Sequence, residues 1–175
     1  DPYASVSTPT IAYDGGGLNF ARWTGTSWAF ETVDPAGLRH MSLAYDPLTH
    51  NPTIAYPSDS NADGSYDAVN FAWWDGATWR TRLIGTGPAG YGMTPSLAYD
   101  PGTSQPTIAC RGGTGGLQGE LLSLEGSPET GKWSSEIFDI GPRSGGYPCL
   151  RYDGWGAAVV CYTVSGTEVR FARRI

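Results

Sequence analysis

Ser42-Leu43-Ala44-Tyr45-Asp46 and Ser96-Leu97-Ala98-Tyr99-Asp100 are the same five residues in the same order, 54 positions apart. Cys149-Leu150-Arg151-Tyr152-Asp153 is a third, degenerate copy, 53 positions further along the chain. A sequence that repeats itself at such a period is built from equivalent structural units. Internal repetition is therefore the feature that decides the fold.

Other motifs follow the same period. Pro-Thr-Ile-Ala starts at Pro9, Pro52 and Pro106, and Ala158–Tyr162 is a degenerate fourth copy. Asn-Phe-Ala starts at Asn19 and Asn70, and Arg170-Phe171-Ala172 resembles it. A Trp recurs later in each of the first three units, at Trp28, Trp79 and Trp133. One unit is thus predicted to contain four short strands in about 50 residues, which is the size of a propeller blade.

The composition excludes several classes of protein. The 175 residues include 25 Gly, 13 Pro, seven Trp and ten Tyr, and only 16% are charged. Gly and Pro break helices, which argues against a helical bundle. A disordered chain would leave this many aromatic side chains in water, which is unfavourable. We therefore expect an all-β domain. The net charge of −6 argues against a nucleic-acid partner, and no apolar run is long enough for a membrane span.

The repeat resembles the blades of bacterial secreted β-propellers related to the sialidase-like and lectin-like families, over nearly the whole chain. The resemblance implies a single β-propeller-like domain, 1–175, with repeats of about 1–38, 39–89, 90–143 and 144–175. These make about 3.5–4 four-stranded blades, because the opening strand of the first repeat (Tyr3–Ser7) is weak and the fourth repeat stops before its outer strand. Two arrangements stay open: a four-bladed ring completed by the N-terminal segment, or an open half-ring that closes with a second copy.

The loop Asp59-Ser60-Asn61-Ala62-Asp63-Gly64-Ser65-Tyr66-Asp67 is the strongest chemical signal. It fits the pattern D-x-[DN]-x-[DN]-G of a calcium loop, in which alternate oxygens converge and Gly permits a sharp turn. It resembles the loops between blade strands of integrin α-chain propellers, where an Asp at the ninth position completes the site. We therefore expect calcium as a structural cofactor, bound by Asp59, Asn61, Asp63, Ser65 and Asp67. A polar loop of Asx turns is the alternative.

Three cysteines leave one without a partner. Cys149 and Cys161 flank a hairpin centred on Trp155, so they are predicted to lie opposite each other on antiparallel strands. A non-hydrogen-bonded pair would be close enough for a disulfide, and two buried thiols in a core strand are the alternative. Cys110 stands where other repeats have Tyr13 and Tyr56, and is interpreted as a small core residue.

The linkers that lead into the first strand of each repeat are Gly-rich and carry aromatic or basic residues. Sugars stack on aromatic rings and accept hydrogen bonds from Arg or His, so these linkers are candidate ligand contacts. The alternative is that the aromatic residues pack between blades. The candidate ligand residues are Arg39, His40, Tyr91, Arg143 and Tyr147, with Trp74 and Trp155 as further stacking surfaces.

Three functions follow from these observations. The first is a secreted, calcium-stabilised binding module whose ligand is a glycan or a protein surface. The second is a subunit of an extracellular assembly that is completed by strand or blade sharing. The third is a sialidase-like glycosidase, which would need Arg39, Arg111 and Arg143 to cluster. The sialidase Asp-box is not matched, because Asp75-Gly76-Ala77-Thr78-Trp79 lacks its spacer and predicts a tight hairpin.

The compartment is predicted from the calcium loop and the cysteines. Millimolar external calcium would fill even a weak site, and a disulfide forms in an oxidising environment. We therefore expect an extracellular, periplasmic or cell-surface location. The chain opens at Asp1-Pro2 without a signal peptide, from which we expect either a removed leader or an excised fragment.

Overall fold

The structure, a computed structural model, describes residues 1–4, 8–37, 39–114, 118–128, 130–142 and 146–174. Within these residues the chain forms fourteen β-strands and no helix, which confirms the all-β prediction. Accordingly, none of the described segments is a helix with the length and apolar character needed to cross a membrane.

The strands form four antiparallel sheets that succeed one another along the chain, each with its strands in sequence order. Sheet 1 contains β1 (Thr10–Asp14), β2 (Leu18–Trp23) and β3 (Trp28–Asp34). Sheet 2 contains β4 (Ser42–Tyr45), β5 (Pro52–Ser58), β6 (Ala68–Trp74) and β7 (Trp79–Thr86). Sheet 3 contains β8 (Ser96–Tyr99), β9 (Pro106–Thr114), β10 (Gln118–Ser127) and β11 (Lys132–Pro142). Sheet 4 contains β12 (Gly146–Tyr152), β13 (Ala158–Val164) and β14 (Glu168–Arg173).

The repeated motifs occupy equivalent strands of these sheets. Ser-Leu-Ala-Tyr forms the first strand of sheets 2 and 3, and Pro-Thr-Ile-Ala forms the strand beside it. Sheet 1 begins with the Pro-Thr-Ile-Ala strand, so among the described residues it has no counterpart of the first strand. The weak strand predicted at Tyr3–Ser7 is not found over Tyr3 and Ala4, which lie in a turn, and Ser5–Ser7 fall outside the described residues.

The Asp that follows each first strand closes the turn into the next strand. Asp46 Oδ1 accepts hydrogen bonds from the backbone N–H groups of Leu48 (2.7 Å) and Thr49 (3.2 Å). Asp100 and Asp153 accept backbone N–H groups in the same way in their own turns. Such Asx turns satisfy donors that a tight reversal would otherwise leave without partners.

The predicted hairpin at Asp75 is confirmed between β6 and β7. The Asp75 N–H donates to the carbonyl of Thr78 at 3.1 Å, and its carboxylate accepts from the N–H groups of Ala77 and Thr78. These backbone hydrogen bonds, with that from Arg80 Nε (2.7 Å), lower the pKa of the Asp75 carboxyl to about 2. Its carboxylate is therefore ionised at all ordinary pH values, and the turn stays closed.

Each pair of successive sheets encloses its own apolar core. Leu18, Phe20 and Val33 of sheet 1 pack against Ile54, Tyr56 and Ala72 of sheet 2. Ala55, Val69 and Phe71 on the other side of sheet 2 pack against Leu97, Ile108 and Cys110 of sheet 3. Ala109 of sheet 3 packs against a cluster in sheet 4 that includes Leu150 and Val160. The middle sheets are thus buried on both faces, whereas each end sheet contributes one face to these cores.

Hydrogen bonds between sheets recur with the repeat. In each junction, the Tyr of a first strand bonds through its hydroxyl to a Thr of the preceding sheet: Tyr45 with Thr10 (3.0 Å), Tyr99 with Thr53 (3.0 Å) and Tyr152 with Thr107 (2.7 Å). A second bond joins successive first strands, from the Leu97 N–H to Ser42 Oγ and from the Leu150 N–H to Ser96 Oγ, both at 2.9 Å. The repeated Ser, Tyr and Thr residues therefore hold neighbouring sheets in one register.

The recurring Trp residues pack between sheets at two of three positions. The ring of Trp79 lies 5.1 Å from that of Phe20, and its Nε1–H donates to Glu31 at 2.8 Å. The ring of Trp133 lies 5.5 Å from that of Phe71 in the next junction. Trp28, in sheet 1, faces away from sheet 2 and lies in an apolar depression together with Ile11, Tyr13, Ala21 and Phe30.

The cysteines differ in their surroundings. Cys110 is fully buried, as predicted for a core residue, and burial raises the pKa of its thiol to about 12. Cys149 and Cys161 are direct partners on β12 and β13, as predicted, but both thiols are exposed and free. The alternative of two buried thiols is therefore wrong.

Cys149 and Cys161 were expected at a non-hydrogen-bonded position of the ladder, and the structure differs on this point. The Asp153 N–H donates to the Ala157 carbonyl in the same register, and hydrogen-bonded pairs alternate along an antiparallel ladder. Counting back by twos places Cys149 and Cys161 at a hydrogen-bonded position, where the side chains stand further apart than at the position we expected. The disulfide stays a prediction.

Candidate functional site

The residues just before the repeated pentapeptide of three repeats meet at one depression, which we call the linker pocket. It is lined by the two residues that precede each pentapeptide in sheets 2, 3 and 4, the last two of which lie in β12: His40, Met41, Thr94, Pro95, Tyr147 and Pro148. Its volume is about 200 Å³. Linkers from three different repeats therefore supply one shared surface.

The backbone at this pocket is strained in the same way three times. His40, Thr94 and Tyr147 each stand two residues before the Ser or Cys that begins the repeated pentapeptide. Their φ angles are 68°, 51° and 47°, in the left-handed region that residues other than glycine rarely adopt. Such strain costs about 1–3 kcal/mol per residue and concentrates at binding sites, where the surrounding structure holds it.

The side chains of His40 and Tyr147 come together at the pocket although 107 residues separate them in sequence. Their ring centroids are 6.4 Å apart and their planes are inclined by 76°. Tyr147 is 71% exposed, so its ring is free to stack on a ligand, and the imidazole of His40 can donate or accept a hydrogen bond. This pair joins an aromatic surface to a polar group, which is the combination that sugar binding uses.

Other predicted ligand residues lie elsewhere. Arg39 forms an ion pair with Asp14 of sheet 1, with 3.5 Å between Nε and Oδ2. Tyr91 is half-buried beside the core between sheets 2 and 3, and its ring lies where Cβ atoms on Gly85 and Gly87 would be. Tyr91 therefore follows the alternative of packing between sheets. Arg143 lies outside the described residues.

The two tryptophans are on separate surfaces. Trp74 is half-buried, packs edge-on against Trp79 at 5.9 Å and lines a cleft with Trp73 and Asp46. Trp155 is 87% exposed at the tip of the β12–β13 hairpin, and the Arg173 guanidinium lies 5.7 Å from its ring centroid. Neither residue lines the linker pocket.

The loop 59–67 folds into a series of turns closed by its own side chains. The Asp59 carboxylate accepts the N–H groups of Asp63 (3.1 Å) and Gly64 (2.7 Å), and Asp63 accepts that of Ser65 (2.8 Å). Ala62 and Gly64 are both left-handed, with φ of 60° and 87°, which turns the chain sharply around these carboxylates. Gly64 therefore makes the sharp turn expected at the sixth position, with a φ that favours glycine.

Asp67, at the ninth position, takes part in a different contact. It is 8% exposed, and its two oxygens accept hydrogen bonds from Ser60 N (2.6 Å) and Ser60 Oγ (2.9 Å). In the described part of the chain no three Asp, Glu, His or Cys side chains converge as a metal centre. The donor set consists entirely of hard oxygens, which suits calcium, but Asp67 would have to turn from Ser60 to join Asp59 and Asp63.

Sequence reasoning missed the part of the pocket that comes from sheet 3. Thr94 and Pro95 carry no aromatic ring or charge, so composition alone did not single them out. The available signal was positional, because Thr94 stands at the same place in its repeat as His40 and Tyr147.

Comparison with known proteins finds no match for this chain, either among protein-family models or among curated proteins.

Proposed function

We propose that this chain is a secreted, calcium-stabilised, β-propeller-like binding module that binds a glycan in the linker pocket. The single observation that carries the proposal is the meeting of His40, Thr94 and Tyr147, each left-handed, at one depression. A protein surface is the alternative ligand.

The propeller-like arrangement is supported by the order of the sheets. Successive repeats form successive antiparallel sheets, and each sheet packs face to face on the next one. In such an arrangement the first strand of every blade lies nearest the axis, and the linkers before these strands line one mouth. The convergence of residues from three repeats at one depression supports this arrangement.

A glycan is favoured by the chemistry of the pocket. The pocket is shallow and small, which suits one or two sugar rings rather than an extended apolar ligand. The exposed ring of Tyr147 offers a flat stacking surface, while His40 and Thr94 offer hydrogen bonds to hydroxyl groups.

Replacing Tyr147 by alanine is expected to weaken glycan binding by about tenfold, because the stacking surface is lost. A glycan array would identify the ligand, and calorimetric titration of that glycan would compare the wild type with Tyr147→Ala and His40→Ala. Trp155→Ala tests the other exposed aromatic candidate, which lies outside the pocket, and it should keep the wild-type affinity. Equal affinity of the wild type and Tyr147→Ala, or no glycan bound at all, would remove the pocket from the proposal.

Calcium is proposed as a structural ion of the loop 59–67. Asp59, Asn61, Asp63 and Asp67 would supply side-chain oxygens and Ser65 a backbone carbonyl, and the ion would offset the repulsion between three carboxylates. Bound calcium would hold the loop between β5 and β6 and act on stability, away from the linker pocket.

Calcium at a hundredfold excess over its Kd is expected to stabilise the fold by about 2.7 kcal/mol, which is about 5–10 °C in Tm for a domain of this size. Thermal melts with calcium and with chelator measure the difference. Asp59→Ala and Asp63→Ala should abolish the calcium response, whereas Asp75→Asn, outside the loop, should retain it. Identical melts of the wild type in calcium and in chelator would contradict the calcium site.

The glycosidase alternative has less support. Arg39 is paired with Asp14, and Arg111 lies beside Gly90 rather than among the residues of the linker pocket. If the folded chain released the leaving group of a fluorogenic sialoside and a heat-unfolded sample did not, the glycosidase would be favoured over the binding module.

A further inference from the structure

Sheet 1 exposes an apolar face on the side that points away from sheet 2. We define the sheet 1 outer face by five residues: Ile11, Tyr13, Ala21, Trp28 and Phe30. Ile11 is 48% exposed and Phe30 is 68% exposed, and together the five residues line an apolar depression of about 370 Å³. Contiguous exposed apolar surface of this kind marks a place of interaction.

Sheet 4 exposes apolar side chains on the face that points away from sheet 3. The sheet 4 outer face carries Cys149, Val159, Cys161, Val169 and Phe171, and in β13 these residues alternate with buried ones. The register also places Arg151 and Arg173 on this face, one on each side of Val159. Val169 is 73% exposed and Phe171 is 65% exposed. The register places Cys161 directly between Cys149 and Phe171 on neighbouring strands, so these three side chains form one row.

By position in the repeat, these two outer faces are equivalent to the two surfaces that meet between sheets 1 and 2. In that contact Leu18 and Phe20 of sheet 1 meet Ile54, Tyr56, Ala72 and Trp79 of sheet 2. By position in the repeat, Val169 and Phe171 correspond to Leu18 and Phe20. Ile11, Tyr13, Ala21 and Trp28 correspond to Ile54, Tyr56, Ala72 and Trp79. One chain therefore carries counterparts of both sides of its own internal interface, and each side has exposed apolar side chains: Ile11 and Phe30 on sheet 1, and Val169 and Phe171 on sheet 4.

Within the described residues, sheet 4 lacks the Ser and Thr hydroxyl groups that bond to the next sheet at the internal junctions, and sheet 1 lacks the groups that would bond to them. At the internal junctions a Ser accepts an N–H, and a Thr pairs with a Tyr hydroxyl, both from the first strand of the next sheet. On sheet 4 these positions hold Cys149 and Val159, which are poor acceptors. The described residues of sheet 1 contain no such first strand, so they bring neither that Tyr nor that N–H.

We propose that the sheet 4 outer face of one chain docks on the sheet 1 outer face of a second copy, and that the same contact made twice closes a two-chain ring. The contact is heterologous, because it joins different faces, and a ring is the arrangement in which it leaves no outer face exposed. An ordinary four-stranded repeat would fit sheet 4 less well, since its Tyr hydroxyl and N–H would face Val159 and Cys149 without acceptors. The contact is independent of glycan and calcium binding.

Sedimentation equilibrium of the full chain is the test, from the micromolar range to the highest soluble concentration. The expected species has twice the 18.6 kDa mass of one chain. Phe30→Asp and Phe171→Asp each place a charge in the contact, and each should weaken association about 100-fold or more. Leu48→Asp is the control, because Leu48 is a comparably exposed apolar residue in a turn outside both faces.

Mixing the two variants distinguishes the proposed contact from a symmetric one. Phe30→Asp keeps an intact sheet 4 outer face and Phe171→Asp keeps an intact sheet 1 outer face, so the mixture should form a dimer joined at one contact. Larger wild-type species that both substitutions dissociate would overturn the two-chain ring, because the contact would then propagate from chain to chain without closing.

A folded wild-type monomer at every concentration would overturn the proposal. Association of either variant by itself to the same extent as the wild type would overturn it as well. Circular dichroism of each variant establishes that it is folded, and Val169→Lys tests the sheet 4 outer face if Phe171→Asp does not fold.

Discussion

Phe71→Ala is expected to lower the free energy of unfolding by about 3–5 kcal/mol. Phe71 is fully buried between sheets 2 and 3, where its ring contacts those of Trp73 (6.3 Å) and Trp133 (5.5 Å). Truncation removes the transfer free energy of the ring and leaves a cavity, because strands held on both sides cannot collapse into it. Urea denaturation, followed by tryptophan fluorescence and by circular dichroism, measures the loss.

Phe171→Ala is the matched control for Phe71→Ala. Phe171 occupies the same position in its repeat but is 65% exposed, so its replacement should change the unfolding free energy of the monomer by less than about 0.5 kcal/mol. The comparison is made at low protein concentration, where association through the sheet 4 outer face does not contribute. Equal losses for the two variants would contradict the assignment of Phe71 to a core between sheets.

Gly92→Ala is expected to produce the second large loss of stability. Gly92 has a φ of +72°, and a Cβ there would lie 2.7 Å from the Ala68 carbonyl oxygen and 2.7 Å from Val69 Cβ. Its N–H also donates to the Arg111 carbonyl, which ties the linker to sheet 3. The left-handed backbone costs a non-glycine residue about 1–2 kcal/mol, and the clash adds about 1–3 kcal/mol because the atoms met are mostly backbone.

Gly166→Ala separates these two contributions. Gly166 has almost the same φ, +73°, but a Cβ there would meet no atom within 4 Å. It should therefore lose only the conformational part, about 1–2 kcal/mol, in the same denaturation experiment. If both variants lost the same stability, the close approach of the linker to β6 would be refuted.

The local features of the fold were accessible from the sequence because they depend on neighbours along the chain. Turns closed by Asp46, Asp100 and Asp153, the hairpin at Asp75 and the left-handed Gly64 all follow from residues within a few positions of one another. The period of the repeat added the equivalence of the strands. The fourteen strands of the described residues confirm the all-β prediction.

The candidate site was predictable only in part, because a linker residue can point to the pocket or into a core. His40 and Tyr147 meet at the linker pocket, whereas Tyr91, which shares their Gly-rich context, packs beside Gly85 and Gly87. Gly85 in β7 and Gly87 just after it leave room for the Tyr91 ring. Composition describes which side chains a linker has, but the space available on the neighbouring sheet decides where each one lies.

The sequence by itself determined the all-β class, the repeating strands, the turns and the opposition of Cys149 and Cys161, since each follows from spacing along the chain. Only the tertiary structure decided how the sheets join through Tyr–Thr pairs and which faces stay exposed. It also decided the hydrogen-bond parity of Cys149 and Cys161. The physical reason is that these outcomes depend on partners about 35 to 55 residues away or on a neighbouring strand. Spacing along the chain reveals equivalent positions, whereas burial against a particular neighbour assigns each of them its role.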